Sequence, residues 1–475
     1  MNPTSFTIWD TETTGLDKAF DVPVEIGALF TDASLQPIRH IHLSCRPPRS
    51  VLPQPGALLT TKRRISELMS RPMTAYETTG RFKEVVEAVT PTCFVTYNGV
   101  KFDDPLIQHT LYRHLHDPYL MMKAGNSRLD ILRLVQLAYA LGHGDLVVPM
   151  SDVGKITFKL DQIAPLNGFN EKGAHSALVD ARAVLHLCRL LATRAPELWA
   201  RAVRLWSRKD AVRNLVGGAD VIVQFSWDWR KGGRPSFKAL HPIGPGRSYP
   251  GDIVCLDLAI DPADYRSLAP EELTGKIAIG PKPRPICTVR LNGFPIVFNG
   301  DDPLVRGRVP VEAKVLAERA QQISHDSGLH DRVLEAVDLS RDSFEEPGHP
   351  EQQLYSGGFI SAPDMIAMER FHLVTPENKL DVVRTFADTR LQYLGERLIF
   401  EEWPAILPLE IRARLDAELR GRHLSSMECP WTTVATGLEA IEDLLPKADD
   451  AGRAILMEYQ EYLMSLLQSQ DVLAA

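Results

Sequence analysis

Apolar positions in the first 195 residues recur at strand spacing first and at helix spacing later. The short runs FTIW (6–9), VEIGALF (24–30), IHLSC (41–45) and CFVTY (93–97) each predict a strand. Residues 75–89 and three longer stretches instead follow helix periodicity: PLIQHTLYRHL, RLDILRLVQLAYAL and ALVDARAVLHLCRLLATRAPELW. This order predicts an α/β domain with a mixed sheet flanked by helices.

The pattern changes twice after this region. From about 205 to 310, short β-rich runs alternate with Gly/Pro turns such as KGGRP and GPKPRP, which is typical of a small β-barrel or sandwich. Residues 311–342 read as helical, and a Gly/Pro-bearing link at 345–353 leads to a last region that is helical almost throughout. A chain of 475 residues exceeds one ordinary core. We therefore predict three domains, at 1–195, 196–345 and 346–475.

Charge is distributed unevenly over these regions. The chain has a net charge of −8, but residues 346–475 alone carry 22 acidic residues against 11 Lys and Arg. Residues 201–238 instead hold nine Lys and Arg against three Asp. This basic stretch, which includes Arg208 and Lys209, predicts a track for phosphates, although a solvated helix and hairpin surface would explain it equally well.

Several protein classes are disfavoured by the composition. The six cysteines are scattered, with no CxxC pair and no zinc-ligand spacing, so we expect reduced thiols and a cytoplasmic protein. The chain has no run of about 18 apolar residues, and its N-terminus lacks the basic and apolar regions of a secretory signal. A membrane protein, a secreted disulfide scaffold and a structural zinc site are therefore not expected.

Two carboxylates follow the first apolar strand. Asp10 and Glu12 are alternate residues of an extended segment, so both side chains point to the same side at the carboxyl end of a strand. Clustered carboxylate oxygens are the ligands that Mg²⁺ and Mn²⁺ prefer. On its own the motif is weak, because two solvated acids at a strand end would look the same.

Three further residues have a comparable context. Asp103, in the segment YNGVKFD, follows the strand-like run 93–97 and precedes a helix. His175 and Asp180 lie five residues apart, and the pattern predicts His175 at the start of a helix and Asp180 in its second turn. His175 alone would read as a helix cap or a surface histidine. Asp180 is flanked by Leu178 and Val179, where an unpaired carboxylate is costly and metal coordination would explain it.

A strand-end Asp-x-Glu, a central Asn-x-x-x-Phe-Asp and a late His-x-x-x-x-Asp, in this order, resemble the DEDDh 3′→5′ exonuclease superfamily. The resemblance implies an RNase H-like catalytic domain and two Mg²⁺ ions about 3.5–4 Å apart, with Mn²⁺ able to substitute. Asp10, Glu12 and Asp180 would hold the ions, with Asp103 completing the shell directly or through water. His175 would accept the proton of the attacking water, a task suited to an unperturbed pKa near 6.5.

Shorter strings narrow the resemblance to the bacterial exonuclease I family, the exodeoxyribonucleases specific for single-stranded DNA. These strings lie in all three predicted domains: LPQPGA (52–57), HDPY (116–119), NSRLD (126–130), FKL (158–160), LHP (240–242) and LYSGGF (354–359). The resemblance implies an SH3-like β-barrel domain after the exonuclease domain and an all-α C-terminal domain. It also implies a monomer that degrades single-stranded DNA processively, with Glu12, Tyr119 and Lys159 among the residues that contact the substrate.

The chain departs from the family pattern at four positions. Thr11 replaces the tyrosine of the common Asp-Tyr-Glu-Thr, and Lys159 replaces an arginine, which removes a bidentate fork. Gly142 and Arg201 stand where we expect an arginine and a tyrosine of the pocket that binds the acidic tail of single-stranded DNA-binding protein. These last two departures argue against that partner.

Two other functions stay open from the sequence. A DEDDh exoribonuclease would have the same catalytic residues and would recognise the 2′-hydroxyl, for which no string is evident. A non-catalytic single-strand nucleic-acid-binding protein would need the aromatics beside cations, such as Trp227, Trp229, Tyr355 and Tyr393, but not an intact catalytic set. Since all five catalytic residues are present, we expect an enzyme in which residues 196–475 close a groove over the single strand.

Overall fold

The computed structural model describes residues 3, 5–123, 125–143, 145–150, 154–171, 176–229, 233–277, 284–340 and 347–474. Its first part is an α/β domain built on one five-stranded mixed sheet of order β3-β2-β1-β4-β5. β1 pairs antiparallel with β2 and parallel with β4, while β2–β3 is antiparallel and β4–β5 parallel. The five strands are β1 (Ser5–Thr13), β2 (Pro23–Asp32), β3 (Pro37–Ser44), β4 (Cys93–Thr96) and β5 (Ser127–Asp130).

Two strand predictions need correction. β5 lies in a segment predicted to be helical, because its four residues are too few to show an alternation and run directly into a helix. β1 continues to Thr13, so Asp10 and Glu12 lie within the strand and not after it. The hydrogen bonds to β2, which pair residues as far as Thr13 with Pro23, keep this polar part of β1 extended.

Within the described ranges, nine helices cover the first sheet and lead to the second. The predicted helix over residues 75–89 is confirmed, and it begins with a capping box between Thr74 and Glu77. The helices are α1 (Pro55–Thr61), α2 (Ile65–Met69), α3 (Ala75–Val89), α4 (Asp103–Arg113), α5 (Ile131–Leu141), α6 (Leu160–Leu166), α7 (Ala177–Arg194), α8 (Pro196–Arg201) and α9 (Lys209–Gly217).

The β-rich segment folds into a second five-stranded sheet, antiparallel throughout, of order β10-β6-β7-β8-β9. Its strands are β6 (Ile222–Asp228), β7 (Arg234–Pro245), β8 (Asp252–Asp257), β9 (Ile286–Arg290) and β10 (Ile296–Asn299). In the part of this region that the structure describes, three helices accompany the sheet: α10 (Pro270–Thr274), α11 (Ala313–Ser324) and α12 (Ser327–Leu339).

The last region is helical over its described residues, as the sequence predicts. Its helices are α13 (Ala362–Leu373), α14 (Pro376–Val383), α15 (Thr389–Glu402), α16 (Leu409–Leu424), α17 (Val434–Leu444) and α18 (Asp450–Ala474). In the ranges given above, no helix combines the length and the apolar character that crossing a membrane requires.

Buried apolar clusters extend across the predicted domain boundaries. One cluster joins Val95 of the first sheet to Val297 of the second. Another joins Leu58 of α1 to Ile441 and Tyr459 of the last region, and the Tyr459 hydroxyl donates to Pro53 O at 2.6 Å. Because the cores are shared, the domain boundaries at 195/196 and 345/346 stay predictions that rest on the change in sequence pattern.

Candidate active site

Three carboxylates meet on one side of β1. Asp10 and Glu12 are alternate residues of the strand and therefore point to the same side. Each of Asp10, Glu12 and Asp180 offers an oxygen, and these oxygens all lie within 4.8 Å of one another. Asp180 lies in the first turn of α7, one turn earlier than the sequence suggested.

A glycine on the neighbouring strand makes this meeting sterically feasible. Gly27 of β2 is the register partner of Asp10. A Cβ at Gly27 would lie 2.3 Å from the backbone of Ala177 and Leu178, so α7 begins directly against the backbone of β2. That close approach sets the first turn of α7, and with it Asp180, beside β1.

Asp103 approaches β1 along its other edge. β1 pairs with β4 only from Phe6 to Ile8, so the later residues of this edge face the start of α4, of which Asp103 is the first residue. The Asp103 side chain is buried, and its Oδ1 accepts a hydrogen bond from Thr11 Oγ1 at 2.5 Å. The adjacent Asp104 is also buried but is paired with Arg128 at 2.6 Å.

Asp10, Glu12 and Asp103 resist ionisation in the absence of a cation. Burial raises the pKa of Asp10 well above its ordinary value, and the negative charges of Asp103, Asp180 and Glu12 raise it further. Burial followed by repulsion from Asp180 raises the pKa of Glu12 to about 8, and burial raises that of Asp103 to about 7. Clustered, partly protonated carboxylates suit a divalent cation with oxygen ligands. Cations must displace these protons, so metal affinity falls as pH is lowered.

A fifth acid lies next to the cluster but has partners of its own. Glu25 is the register partner of Glu12 and is fully buried. It contacts Arg71 at 2.7 Å, Arg63 at 2.9 Å and His42 at 3.2 Å. Burial opposes its ionisation, but the hydrogen bond from His42 and the charges of the two arginines hold the pKa of Glu25 below its ordinary value. Glu25 is thus a paired anion behind the cluster.

The remaining predicted catalytic residue, His175, lies outside the described residues, immediately before Ser176, which precedes α7. Among the predicted substrate contacts, Tyr119 and Lys209 line a cleft of about 840 Å³ that also includes Asp104, the neighbour of Asp103. Lys159 is exposed at the start of α6 and Arg208 precedes α9, and neither lines this cleft.

The basic stretch predicted as a phosphate track contributes one described residue to the cleft. Of its described members, Lys209 lines the cleft, whereas Arg201 pairs with Asp302 and Lys238 with Asp257. Arg230 and Lys231 lie outside the described residues. Most of the cations that line the cleft come from other segments of the chain: Lys101, Arg128, Arg133 and Arg290.

Sequence reasoning did not identify two residues of the site. Thr11 was noted only as a departure from the family pattern, although its hydroxyl contacts Asp103. Phe359 is 91% exposed at the rim of the cleft, 6.4 Å from the Tyr119 ring. The two glycines before Phe359 were a usable signal, since Gly358 has φ +77° and marks a tight loop.

Comparison with known proteins agrees with this geometry. Residues 7–188 match the family model described as Exonuclease, and residues 348–466 match the Exonuclease I C-terminal domain. The Exodeoxyribonuclease I of Escherichia coli K12 is 27% identical over 408 residues, which are 82% of this chain and 84% of that protein.

The chain belongs to the exonuclease I family. Solved members of the exonuclease I family share its whole architecture. Exonuclease I from Methylocaldum szegediense superimposes with a TM-score of 0.86 at 26% identity, covering 97% of this chain and 99% of that one. E. coli Exonuclease I in complex with a dA16 oligonucleotide superimposes with a TM-score of 0.85 at 23% identity, covering 98% and 100%. Because the identity to the E. coli structure is only 23%, this second similarity supports the fold alone.

The close packing at Gly27 generates a testable prediction. Gly27→Ala should push the start of α7 away from β2 and separate Asp180 from Asp10, because the new Cβ would overlap the α7 backbone. We expect divalent-metal affinity to fall about 10–100-fold, as for displaced ligand supports, with a lower Tm. The matched control is Gly80→Ala in α3, where a Cβ meets nothing within 4 Å. Calorimetric Mn²⁺ titration measures the effect, and unchanged affinity in Gly27→Ala would contradict it.

Proposed function

We propose that this chain is a 3′→5′ exonuclease that degrades single-stranded DNA processively to 5′-mononucleotides with Mg²⁺ as its metal. The observation that carries the proposal is the set of three carboxylates, Asp10, Glu12 and Asp180, whose oxygens lie within 4.8 Å, with Asp103 beside them. The activity is that of the named relatives, of which E. coli Exodeoxyribonuclease I spans most of this chain.

The predicted catalytic residues divide the tasks in this proposal. Asp10, Glu12 and Asp180 would hold the ions, and Asp103 would complete the shell directly or through water. Two bound Mg²⁺ ions would supply water activation and neutralise the charge that develops on the departing 3′ oxygen. His175 accepts the proton of the attacking water. Glu12 also contacts the terminal nucleotide, and Thr11 remains hydrogen-bonded to Asp103.

The cleft beside the cluster has the chemistry of a single-strand groove. It is lined by five cations, whereas its acids are Asp104, which is paired with Arg128, and Asp252. Aromatic side chains from all three regions of the chain line the same space. Tyr119 is half-buried, and the other three are exposed: Tyr249, Tyr355 and Phe359. Cations on phosphates and aromatic faces on bases suffice for binding that tolerates any sequence. The E. coli neighbour was solved with a dA16 oligonucleotide.

One loop from the last region supports the far wall of the cleft. Arg390 is buried and donates to Gln353 O at 2.7 Å and to Gly358 O at 3.2 Å. Its guanidinium leaves no room for a side chain at Gly357. The loop therefore holds its shape and keeps Phe359 in solvent, where a base can stack on it.

The biological setting is also a proposal. We propose a role in DNA repair and recombination in the bacterial cytoplasm, associated with the nucleoid, because the matched relatives are bacterial exodeoxyribonucleases. One structural neighbour was solved as an SSB/Exonuclease I complex with an inhibitor. The same partner is proposed here, although Gly142 ends α5 at φ +72° and Arg201 is held by Asp302, so the contact would use other residues.

The metal-dependent chemistry is tested on labelled substrates. Alanine at Asp10, Glu12, Asp103 or Asp180 should each lower turnover by orders of magnitude in a folded protein, and EDTA should abolish wild-type activity, because the ions carry the reaction. The matched control is Glu84→Ala, an exposed acid on α3. The measurement is the rate of cleavage of 5′-labelled and 3′-labelled single-stranded DNA, duplex DNA and RNA, with and without Mg²⁺. Robust cleavage in EDTA would refute the metal mechanism, and a preference for RNA would indicate an exoribonuclease.

A separate prediction concerns the proton acceptor. His175→Ala should retain Mn²⁺ and DNA binding and lose about 10²–10⁴-fold in turnover, the usual contribution of a positioned base. Single-turnover rates with binding measured in parallel separate the two effects. Near-normal single-turnover rates in this variant would assign His175 a structural role.

The cleft is tested by substitutions that remove one surface side chain each. Phe359→Ala should weaken single-strand binding by about 1–3 kcal/mol, the contribution of one stacked base, and shorten processive runs. Lys209→Gln should lower affinity and flatten its salt dependence, because one fewer counterion is released. Matched controls outside the cleft are Leu373→Ala, at an 85% exposed position, and Lys314→Gln.

The measurement is a trap experiment. Labelled DNA is bound first, the reaction starts with Mg²⁺ plus excess unlabelled DNA, and the product ladder gives the run length. If Phe359→Ala and Lys209→Gln match the controls in DNA affinity and in the number of nucleotides released per binding event, the cleft does not bind the DNA strand.

A further inference from the structure

Thr11 lies between the two carboxylates of β1 but takes no part in the proposed chemistry. Because neighbours on a strand alternate, its side chain points away from the side that Asp10 and Glu12 share. It is 8% exposed, and its hydroxyl donates to Asp103 Oδ1 at 2.5 Å. Thr11 thus connects β1 to the first residue of α4 across 92 positions of sequence.

The hydrogen bond to Asp103 distinguishes Thr11 from the other threonines of β1. A hydroxyl that donates to a carboxylate oxygen can hold that side chain in one orientation. The other two threonines with comparable positions on β1 have different partners: Thr7 meets Thr92 Oγ1 at 3.2 Å and Thr13 donates to Gly15 O at 2.8 Å. Among the described residues, Thr11 supplies the hydroxyl that contacts Asp103.

The location of Asp103 explains why such a hydrogen bond matters. Beyond Ile8, β4 no longer pairs with β1, so the sheet itself does not fix the distance between β1 and α4 there. Asp103 is the first residue of α4, and its carboxylate contacts Thr11, which follows Asp10 in the chain. The hydrogen bond from Thr11 therefore holds the Asp103 side chain against the part of β1 that β4 does not pair with.

We propose that Thr11 is a positioning residue, which holds one carboxylate oxygen of Asp103 against β1 and so keeps Asp103 beside Asp10 for metal binding. This inference rests on the proposed function, since it assigns Thr11 a task in the same site. It predicts that loss of the hydroxyl lowers the affinity for the ion that depends on Asp103. The affinity for the ion held by Glu12 and Asp180 should not change.

The experiment compares three variants of the full-length chain. Thr11→Val removes the hydroxyl at nearly constant shape, and Thr11→Ser keeps the hydroxyl. Thr7→Val removes a buried threonine hydroxyl from the same face of the same strand, away from the acids. Mn²⁺ binding to the metal-free, DNA-free protein is measured by calorimetry and by electron paramagnetic resonance. The Mg²⁺ dependence of single-strand digestion is measured alongside.

In Thr11→Val we expect one of two Mn²⁺ ions to bind about 10–100-fold more weakly, the usual effect of losing a group that orients a metal ligand. The Mg²⁺ concentration for half-maximal rate should rise in proportion, and kcat should recover at saturating Mg²⁺. Thr11→Ser should restore both values, and Thr7→Val should match the wild type in both.

Other outcomes overturn the role. Thr11 would be a structural residue if Thr11→Val bound Mn²⁺ with unchanged affinity. The same conclusion would follow if Thr11→Val bound both ions equally weakly and lost Tm, and Thr11→Ser did not restore these values. A wild-type chain that binds two Mn²⁺ and releases nucleotides while Thr11→Val behaves identically overturns this inference alone. A wild-type chain that binds no Mn²⁺ overturns the proposed function together with it.

Discussion

The mutual repulsion of carboxylates on and beside β1 is the constraint on which the rest of the site depends. Burial and like charge raise the pKa of Asp10, Glu12 and Asp103, so the metal-free site favours protonation or separation of these groups. The fold opposes separation with fixed supports. Gly27 lets α7 begin against β2, and Thr11 ties α4 to β1. A divalent cation then relieves the repulsion that the supports maintain.

The acid behind the cluster illustrates how the charge is kept local. Glu25 could add to the repulsion, yet Arg63 and Arg71 neutralise it within 3 Å. The site therefore presents a net negative cluster toward the metal side and a paired layer behind it. Removing one arginine would leave a buried, poorly compensated carboxylate next to Glu12, which is costly.

The shared cores determine how the three regions act together. The cleft is lined by α4 and Tyr119 from the first region, by Lys209 and Arg290 from the second, and by the loop at 354–359 from the third. Among its described residues the last region contributes no acid to this lining, although residues 346–475 carry twice as many acidic residues as basic ones. In the proposed function, negative charge away from the cleft would confine nucleic acid to the cationic face.

The sequence by itself predicted the candidate catalytic residues and determined the α/β, β-rich and helical order of the chain and helix α3, because these depend on residue types at short spacings. Tertiary structure decided the rest. Strand β5 is too short for periodicity and forms because β4 offers it an edge. The arginines of the basic stretch look free in sequence, but Arg201 is paired with Asp302, 101 positions away. Thr11 and Gly27 carry no chemical signature of their own. Their roles arise from α4 and α7 lying against β1 and β2, contacts between segments far apart in sequence that local patterns do not encode.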